Sequence, residues 1–485
     1  MTGINCYLPV ESIETVTDVI RELQQNPLAQ TIYVSDETAR QAGGKAKAFS
    51  YKGFGSTNWL KAFAETISDV DYVLLLSKDT RLSMGQFALE RMLGVAEATG
   101  AVKVYSDYYE VKEGQLSAHP VIDYQEGSLR DDFNFGPLVL YRADALKQAI
   151  DSMIQEFENA GMYYLRLKLS QLGEFIRIPE FLYTIDETDL RKSGQKLFDY
   201  VDPKNRSVQI EMEQAVTEHL KDVKAWLAPE TNVLEFDQAA FKQKASVVIP
   251  VRNREKTIAD AIESVLSQET SFDFNLIIVD NHSTDRTTEI IRSFADKDKR
   301  VVHIIPEQND LGIGGCWNLA VHDSRCGMFA VQLDSDDIYK DENTLQKVVD
   351  VFEQEGCAMV VGTYQLVNFK LEEVPPGIID HREWTPDNGK NNALRINGLG
   401  APRAFYTPVL REVKIPNVSY GEDYAVGLAI SRDYSIGRIY ENLYLCRRWD
   451  DNSDAALDIV KVNAHNTYKD RIRTIELKAR QRKNA

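Results

Sequence analysis

Apolar positions in the second half of the chain fall into short β-branched runs separated by stretches with helical spacing. Ala245-Ser246-Val247-Val248-Ile249-Pro250-Val251 reads as a buried strand, and Asn275-Leu276-Ile277-Ile278-Val279-Asp280 as a second. Between them, Ile258, Ala261, Ile262, Val265 and Leu266 recur on one helix face across Thr257 to Gln268. The pattern continues with a helix from about Thr287 to Ala295 and a strand over Val301 to Ile305. A Gly-rich helix entry follows over Gly312 to Val321, then a strand over Met328 to Leu333. Strands alternating with helices predict an α/β layer with parallel pairing. Ligands in such layers bind beyond the carboxyl ends of the strands, and Asp280 and Asp334 stand at two of those ends.

The first half repeats this order. Cys6 to Val10 parallels Val247 to Val251, and Thr31 to Asp36 parallels the strand ending in Asp280. Trp59-Leu60-Lys61-Ala62 parallels Trp317-Asn318-Leu319-Ala320, and Ala88 to Val111 parallels Thr344 to Val367. Phe135-Gly136-Pro137 parallels Leu399-Gly400-Ala401, and Arg177 to Tyr183 parallels Arg438 to Tyr444. Collinear matches of this kind predict an internal duplication. Between the copies, Ser207 to Leu227 reads as one amphipathic helix, ended by Ala228-Pro229-Glu230 and expected to pack the two copies together.

At 485 residues the chain is too long for one ordinary core, so two or three domains are expected. No run approaches the apolar length of a membrane span, and the N-terminus lacks a basic-then-apolar leader. The five cysteines form no CxxC pair, which reads as reduced thiols. Both features predict a cytoplasmic protein. A net charge of −18 argues against nucleic acid as a partner. It also means that an anionic ligand needs a local cation or basic cluster to hold it. Lys469, Arg471, Arg473, Lys478, Arg480, Arg482 and Lys483 make the C-terminal segment basic. It reads first as a solvated helix or frayed tail, and second as a peripheral contact with an anionic membrane face.

Chemistry concentrates where the fourth strand ends. Leu333-Asp334-Ser335-Asp336-Asp337 offers clustered hard oxygen ligands. Its counterpart in the first copy, Leu76-Ser77-Lys78-Asp79-Thr80, keeps a single carboxylate. Glu422-Asp423 precedes an apolar helix and supplies either a general base or acids favoured by the helix dipole. Asp280 is either a ligand contact or a turn-capping residue. Gly312, Gly314 and Gly315 suit a phosphate cradle or close helix–sheet packing.

Four segments in this order resemble the motifs of family 2 glycosyltransferases with the GT-A fold, across roughly Ala245 to Trp449: Val248 to Asn253, Val279 to Asp285, Leu333 to Asp337 and Gly421 to Tyr424. The resemblance implies two tandem GT-A-like, Rossmann-related α/β domains. Residues 1–195 would form a degenerate, non-catalytic copy, 196–243 a helical linker, 244–450 the catalytic domain and 451–485 a helical basic tail. It implies an inverting transfer from a nucleotide-sugar, UDP favoured over GDP, to a glycan or lipid-linked hydroxyl acceptor in surface polysaccharide or glycoconjugate synthesis. Pro250, Val251, Arg252, Asn253, Asp280, Asn281, Asp334 and Ser335 would hold the donor. Asp336 and Asp334 would hold Mg²⁺ or Mn²⁺. Asp423, with Glu422 second, would be the base. Gly398 and Gly400 would floor the acceptor site, while Trp384 and His381, in a polar Pro-rich loop, either stack on a sugar or simply anchor the loop. Many relatives carry a late metal-binding His, but Trp449 stands near that place here, and Arg447 or Arg448 would meet the diphosphate instead. In the first copy Ser35 replaces Asp280, Ser77 replaces Asp334 and Gly161-Met162 replaces the acidic pair. The competing readings are nucleotidyl transfer on a related fold and a non-catalytic carbohydrate-binding or scaffold protein. Oligomeric state is not legible in the chain.

Overall fold

The computed structural model describes residues 2–9, 13–186, 205–449 and 457–485. The chain divides into two compact units. The first takes the N-terminal half with Lys204–Ala225 and Asp458–Leu477; the second takes Trp226–Leu457 and Lys478–Ala485. The boundaries expected at 195 and 451 lie outside the described residues.

The first unit is built on β1 (Ile4–Tyr7), β2 (Ala29–Val34), β3 (Ala46–Ala48), β4 (Tyr72–Leu76), β5 (Leu82–Met84), β6 (Lys103–Lys112), β7 (Gln115–His119), β8 (Leu138–Arg142) and β9 (Phe175–Asp186). Its sheet runs β3-β2-β1-β4-β8-β6-β9-β5, with β7 paired on β6. The second unit is built on β10 (Ala245–Val251), β11 (Phe274–Asp280), β12 (Val301–Ile304), β13 (Phe329–Gln332), β14 (Ile338–Tyr339), β15 (Met359–Val367), β16 (Glu373–Ile379), β17 (Arg403–Tyr406) and β18 (Ile436–Arg447). Its order is β12-β11-β10-β13-β17-β15-β18-β14, with β16 on β15. The two orders are the same order, so the duplication predicted from collinear segments is a duplication of fold: two tandem GT-A-like α/β sheets.

The local reasons are simple. β10, β11 and β13 pair in parallel and are buried on both faces, which is why they read as continuous apolar runs rather than alternating ones. The helices Ile258–Leu266, Thr287–Ala295 and Ile313–His322 lie where the spacing placed them. After β13 the chain turns back and joins antiparallel strands, β17 on β13 and β14 on β18. Polar residues after β13 and β11 therefore emerge together at one end of the sheet.

Two sequence expectations change. The helix between the copies spans Arg206–Asp222 and belongs to the first unit, packed on the helix Gly161–Leu169. Lys168 there pairs with Glu218 at 2.6 Å and Asp222 at 2.8 Å. The basic C-terminal segment is neither frayed nor wholly solvated. It forms the helix Ile459–Lys483, in which Arg473 and Arg480 are fully buried. Asp470, also fully buried, holds Arg473 at 2.9 Å and accepts from Ser128 Oγ at 2.9 Å, with Arg130 Nε 3.4 Å away. Lys483 pairs with Asp433 at 2.7 Å. Much of the charge read as a surface feature is thus consumed internally. Among the described residues, no helix is long and apolar enough to cross a membrane.

Candidate active site

Beyond the carboxyl ends of β10, β11 and β13, a cleft of about 490 Å³ opens in the second unit. Pro250, Val251, Arg252 and Arg254 form one wall, and Asn281, Leu311 and Trp317 lie along it. Asp334, Ser335, Asp336, Asp337, Arg403, Glu422, Asp423 and Arg448 also line the cleft.

The acidic stretch of this lining is a turn. Asp337 N–H donates to Asp334 O at 3.2 Å, folding the chain back within one step of the strand end. This bend lets Asp334 and Asp336 face one space despite their alternating positions on extended backbone. Asp334 is fixed at both ends: its N–H donates to Tyr444 Oη at 3.0 Å, and its Oδ1 accepts from Gln332 Nε2 at 2.9 Å. Asp336 Oδ2 accepts from Trp449 Nε1 at 3.3 Å and lies 3.6 Å from Arg254 Nε. Asp337 is anchored by the Arg447 N–H at 2.8 Å.

Burial raises the Asp334 carboxyl, against the pull of Arg403 and Gln332. It raises Asp337 well above the usual range, helped by the nearby charges of Asp334 and Asp336. Three carboxylates thus share one buried turn, and a cation beside it would favour their ionised forms. A small divalent ion takes one or two protein carboxylates and completes its shell with water and substrate phosphate oxygens. Asp334 and Asp336 fit that requirement. Among the described residues, no cluster of three or more His, Cys, Asp and Glu side chains forms a protein-only cage. Trp449 occupies the expected position of a late His and offers an N–H donor rather than a ligand.

The acidic pair opens the helix Glu422–Ser431, with Gly421 in the left-handed region at φ +78° as its N-cap. That glycine lets the chain turn into the helix while both carboxylates stay in the first turn. Asp423 Oδ2 pairs with Arg403 Nη1 at 3.0 Å. Glu422 behaves differently: burial and the adjacent Asp423 push its carboxyl up to about 8. Its surroundings therefore favour the protonated form of Glu422.

Several residues predicted for the site are placed elsewhere. Asp280 is fully buried and is not on the cleft wall. Its carboxylate accepts from Ser283 N at 3.0 Å and Thr288 Oγ1 at 2.5 Å, with His303 Nε2 at 3.5 Å. Burial pushes this carboxyl up, but those three partners outweigh it and hold it far below the usual range. Asp280 thus shapes the turn, and the next residue, Asn281, reaches the wall. Asn253 sits at φ +54° with its Oδ1 accepting from Thr284 N at 2.8 Å, which ties two loops together away from the wall. Arg447 is buried, with Nε donating to the Asp336 carbonyl and Nη1 2.6 Å from Asp260. It braces the acidic turn from behind, and Arg448 is the arginine on the cleft. Neither Gly398 nor Gly400 lines the cleft, and Trp384 and His381 are buried rather than available for stacking. His381 Nδ1 lies 2.7 Å from Glu383, and Trp384 packs over Gly389. The glycines before Trp317 are not a phosphate cradle: a Cβ on Gly314 would lie 1.8 Å from Pro416 O, so they allow close packing of helix on loop. Sequence reasoning did not assign Arg403, Gln332 or Arg254 to the site. Only the register between β13 and β17 brings the first two to it.

The first unit lacks this cleft chemistry. Ser77 donates to Pro137 O at 3.1 Å, and Asp79 is exposed. Trp59, the counterpart of the cleft residue Trp317, is covered by Phe54, Phe63 and Tyr51 at centroid distances of 4.7, 5.0 and 6.2 Å. A Cβ on Gly161 would lie 2.4 Å from Gly55 O, so the helix that starts with acids in the second unit abuts backbone here.

The family model "Glycosyl transferase family 2" matches residues 246–410. A putative teichuronic acid biosynthesis glycosyltransferase, TuaG, of Bacillus subtilis is 31% identical over 191 residues, which is 39% of this chain and 73% of that protein. A poly(ribitol-phosphate) beta-glucosyltransferase of Bacillus spizizenii is 26% identical over 42% of this chain and 32% of its own length. An uncharacterized glycosyltransferase of Rickettsia felis is 30% identical over 42% of this chain and 33% of its own length. The chain spans about a third of the length of the first curated relatives it matches. Among solved structures, S. aureus TarS 1-349 in complex with UDP-GlcNAc is similar at 21% identity and a TM-score of 0.37, over 47% of this chain and 70% of that one. Glucosyl-3-phosphoglycerate synthase from Mycobacterium tuberculosis is similar at 20% identity and a TM-score of 0.35, over 50% and 81%.

Proposed function

The chain belongs to glycosyl transferase family 2 through its C-terminal half, and from that membership we infer that the cleft of the second unit moves a sugar from a nucleotide-sugar to a hydroxyl acceptor. The observation that carries this reading is the meeting of an acidic turn and an acid pair across one cavity. Leaving-group stabilisation and proton removal are thereby available in one cleft.

In this reading the nucleotide lies along Pro250 to Arg252 and Asn281, with Asn281 in the place the sequence suggested for Asp280. Arg448 and Arg254 face the diphosphate and supply the local positive charge that an acidic protein needs to retain an anion. When bound, a divalent cation held by Asp336 and Asp334 neutralises the diphosphate and stabilises the departing nucleoside diphosphate. Asp423 takes the proton from the acceptor hydroxyl as that oxygen attacks the anomeric carbon. Glu422, protonated beside it, adds no second negative charge at that stage. One displacement inverts the anomeric centre. UDP is the favoured donor nucleotide, and a glycan or other polyol in surface polysaccharide synthesis is the favoured acceptor.

The test is a panel of UDP-glucose, UDP-N-acetylglucosamine, UDP-galactose and GDP-mannose, each with and without Mn²⁺, scored for release of nucleoside diphosphate. Thermal stabilisation by UDP or GDP is scored beside it. Metal-dependent release from one donor supports the reading. No release and no metal-dependent stabilisation would instead favour a carbohydrate binder. The first unit is proposed to be non-catalytic, because aromatic rings cover its Trp59 and, of the carboxylates at the matching positions, Asp79 alone remains.

A further inference from the structure

The duplication supplies an internal comparison that a single domain lacks. In the second unit a continuous polar chain joins the two sides of the cleft. Asp423 Oδ2 pairs with Arg403 Nη1 at 3.0 Å, and the same Nη1 donates to Gly400 O at 2.7 Å. The backbone N–H of Arg403 donates to Gln332 Oε1 at 3.1 Å, and Gln332 Nε2 donates to Asp334 Oδ1 at 2.9 Å. Gln332 thus uses both ends of its amide, one on the strand that carries Arg403 and one on the acidic turn.

Strand register fixes what stands at these places in the first unit. β13 pairs with β17 as Phe329↔Tyr406, Ala330↔Phe405 and Val331↔Ala404, so the next step sets Gln332 opposite Arg403. β4 pairs with β8 as Tyr72↔Arg142, Val73↔Tyr141, Leu74↔Leu140 and Leu75↔Val139. Leu75 and Val139 therefore replace Gln332 and Arg403, as Ser77 and Met162 replace Asp334 and Asp423. All four members of the chain are apolar or shortened together, while the strands and their pairing persist. A set needed only to hold β13 to β17 would not have to vanish as a set.

Resting on the proposed transferase reading, we propose that Arg403 and Gln332 are positioning residues that hold the base Asp423 and the donor-side carboxylate Asp334 in one fixed geometry. Arg403 aims Asp423 through a charged hydrogen bond, and Gln332 locks the strand bearing Arg403 to the turn bearing Asp334. Misplacing a reacting group by about 1 Å costs on the order of 100-fold in rate, so loss of the Arg403–Asp423 tie is read in turnover rather than in donor affinity, while loss of Gln332, which holds a donor-side carboxylate, is read in both.

The experiment uses the full chain and whichever donor of the panel it turns over, scored as hydrolysis to nucleoside diphosphate with Mn²⁺. Arg403→Ala is expected to lower kcat on the order of 100-fold while donor KM stays within about threefold. Added guanidinium ion restores part of the lost kcat in this variant and none in Asp423→Asn. Arg403→Lys retains more activity than Arg403→Ala. Should Arg403→Ala not fold, Arg403→Lys carries the test with kcat lowered about tenfold at near-constant donor KM, and Gln332→Leu lowers kcat about tenfold whatever its effect on donor KM. Wild-type kcat in the folded variants, a defect confined to donor KM, or no response of Arg403→Ala to guanidinium overturns the inference. A wild-type chain that releases nucleotide from none of the donors overturns the transferase reading beneath it. Full activity in Asp423→Asn removes the base assignment and the inference together.

Discussion

At the scale of residues, the site is governed by carboxyl groups that differ in surroundings more than in kind. Glu422 normally releases its proton near 4.5 and does so near 8 in the folded chain. Between those values the native state binds the extra proton, so folding stability falls as pH rises from about 4.5 to about 8. Glu422→Gln removes that slope. Its melting temperature is expected to exceed that of wild type at pH 8 and to match it near pH 5, as differential scanning fluorimetry across pH would show. Asp423→Asn is expected to cost at least about 100-fold in kcat while far-UV circular dichroism is unchanged. The sequence made Asp334, Asp336 and the acid pair visible because the first two follow an apolar run and the pair opens one. It did not separate Asp280 from Asn281. A turn-capping Asp and a ligand-facing Asp are written with the same letter, and only burial with three internal partners tells them apart. Trp384 and His381 looked like surface stacking groups because their loop is polar. Their burial comes from contacts with Gly389 and Glu383, which local composition does not encode.

At the scale of elements, the cleft depends on how closely the helix Ile313–His322 packs on the loop that follows Ile415. Asn318 grips the Ile415 backbone in both directions, donating to its O at 2.6 Å and accepting from its N at 3.0 Å. Gly312 N donates to Asn417 Oδ1 at 2.7 Å. Gly314→Ala places a methyl against Pro416 O and must push this loop outward. Overpacking of this sort costs about 1–3 kcal/mol. Because Ile415 and Ser419 line the cleft, nucleotide affinity measured by calorimetry is expected to fall along with the urea midpoint. The parallel strands and the helices between them were legible from apolar spacing, whereas the short strands Ile338–Tyr339 and Glu373–Ile379 were not. Register was not, and with it went Arg403, since a residue's opposite number across β13 and β17 appears only after the chain has turned back.

At the scale of the whole molecule, one fold is present twice and the cleft chemistry once. Asp79→Asn is expected to leave nucleotide release within about twofold of wild type, as for a surface substitution away from special features. A folded Asp79→Asn chain without turnover would assign chemistry to the first unit. Within that unit the stretch Asp458–Leu477 of the C-terminal segment is integral. Asp470→Asn removes the buried carboxylate shared by Arg473 and Arg130, the latter keeping Asp132 at 2.7 Å, and is expected to lower the midpoint of denaturant unfolding. Charge runs in sequence suggest surface, and this one misled because its acidic partner, Asp470, stands inside the same run. The different fates of the two equivalent indoles have an optical consequence. Trp317 lies on the cleft and Trp449 donates to Asp336, whereas Trp59 is sheathed by Phe54, Phe63 and Tyr51. Emission from the first two should change when nucleotide enters, while the sheathed ring glows unaltered, so the protein carries its own unlabelled fluorescent gauge of occupancy and an insulated reference beside it.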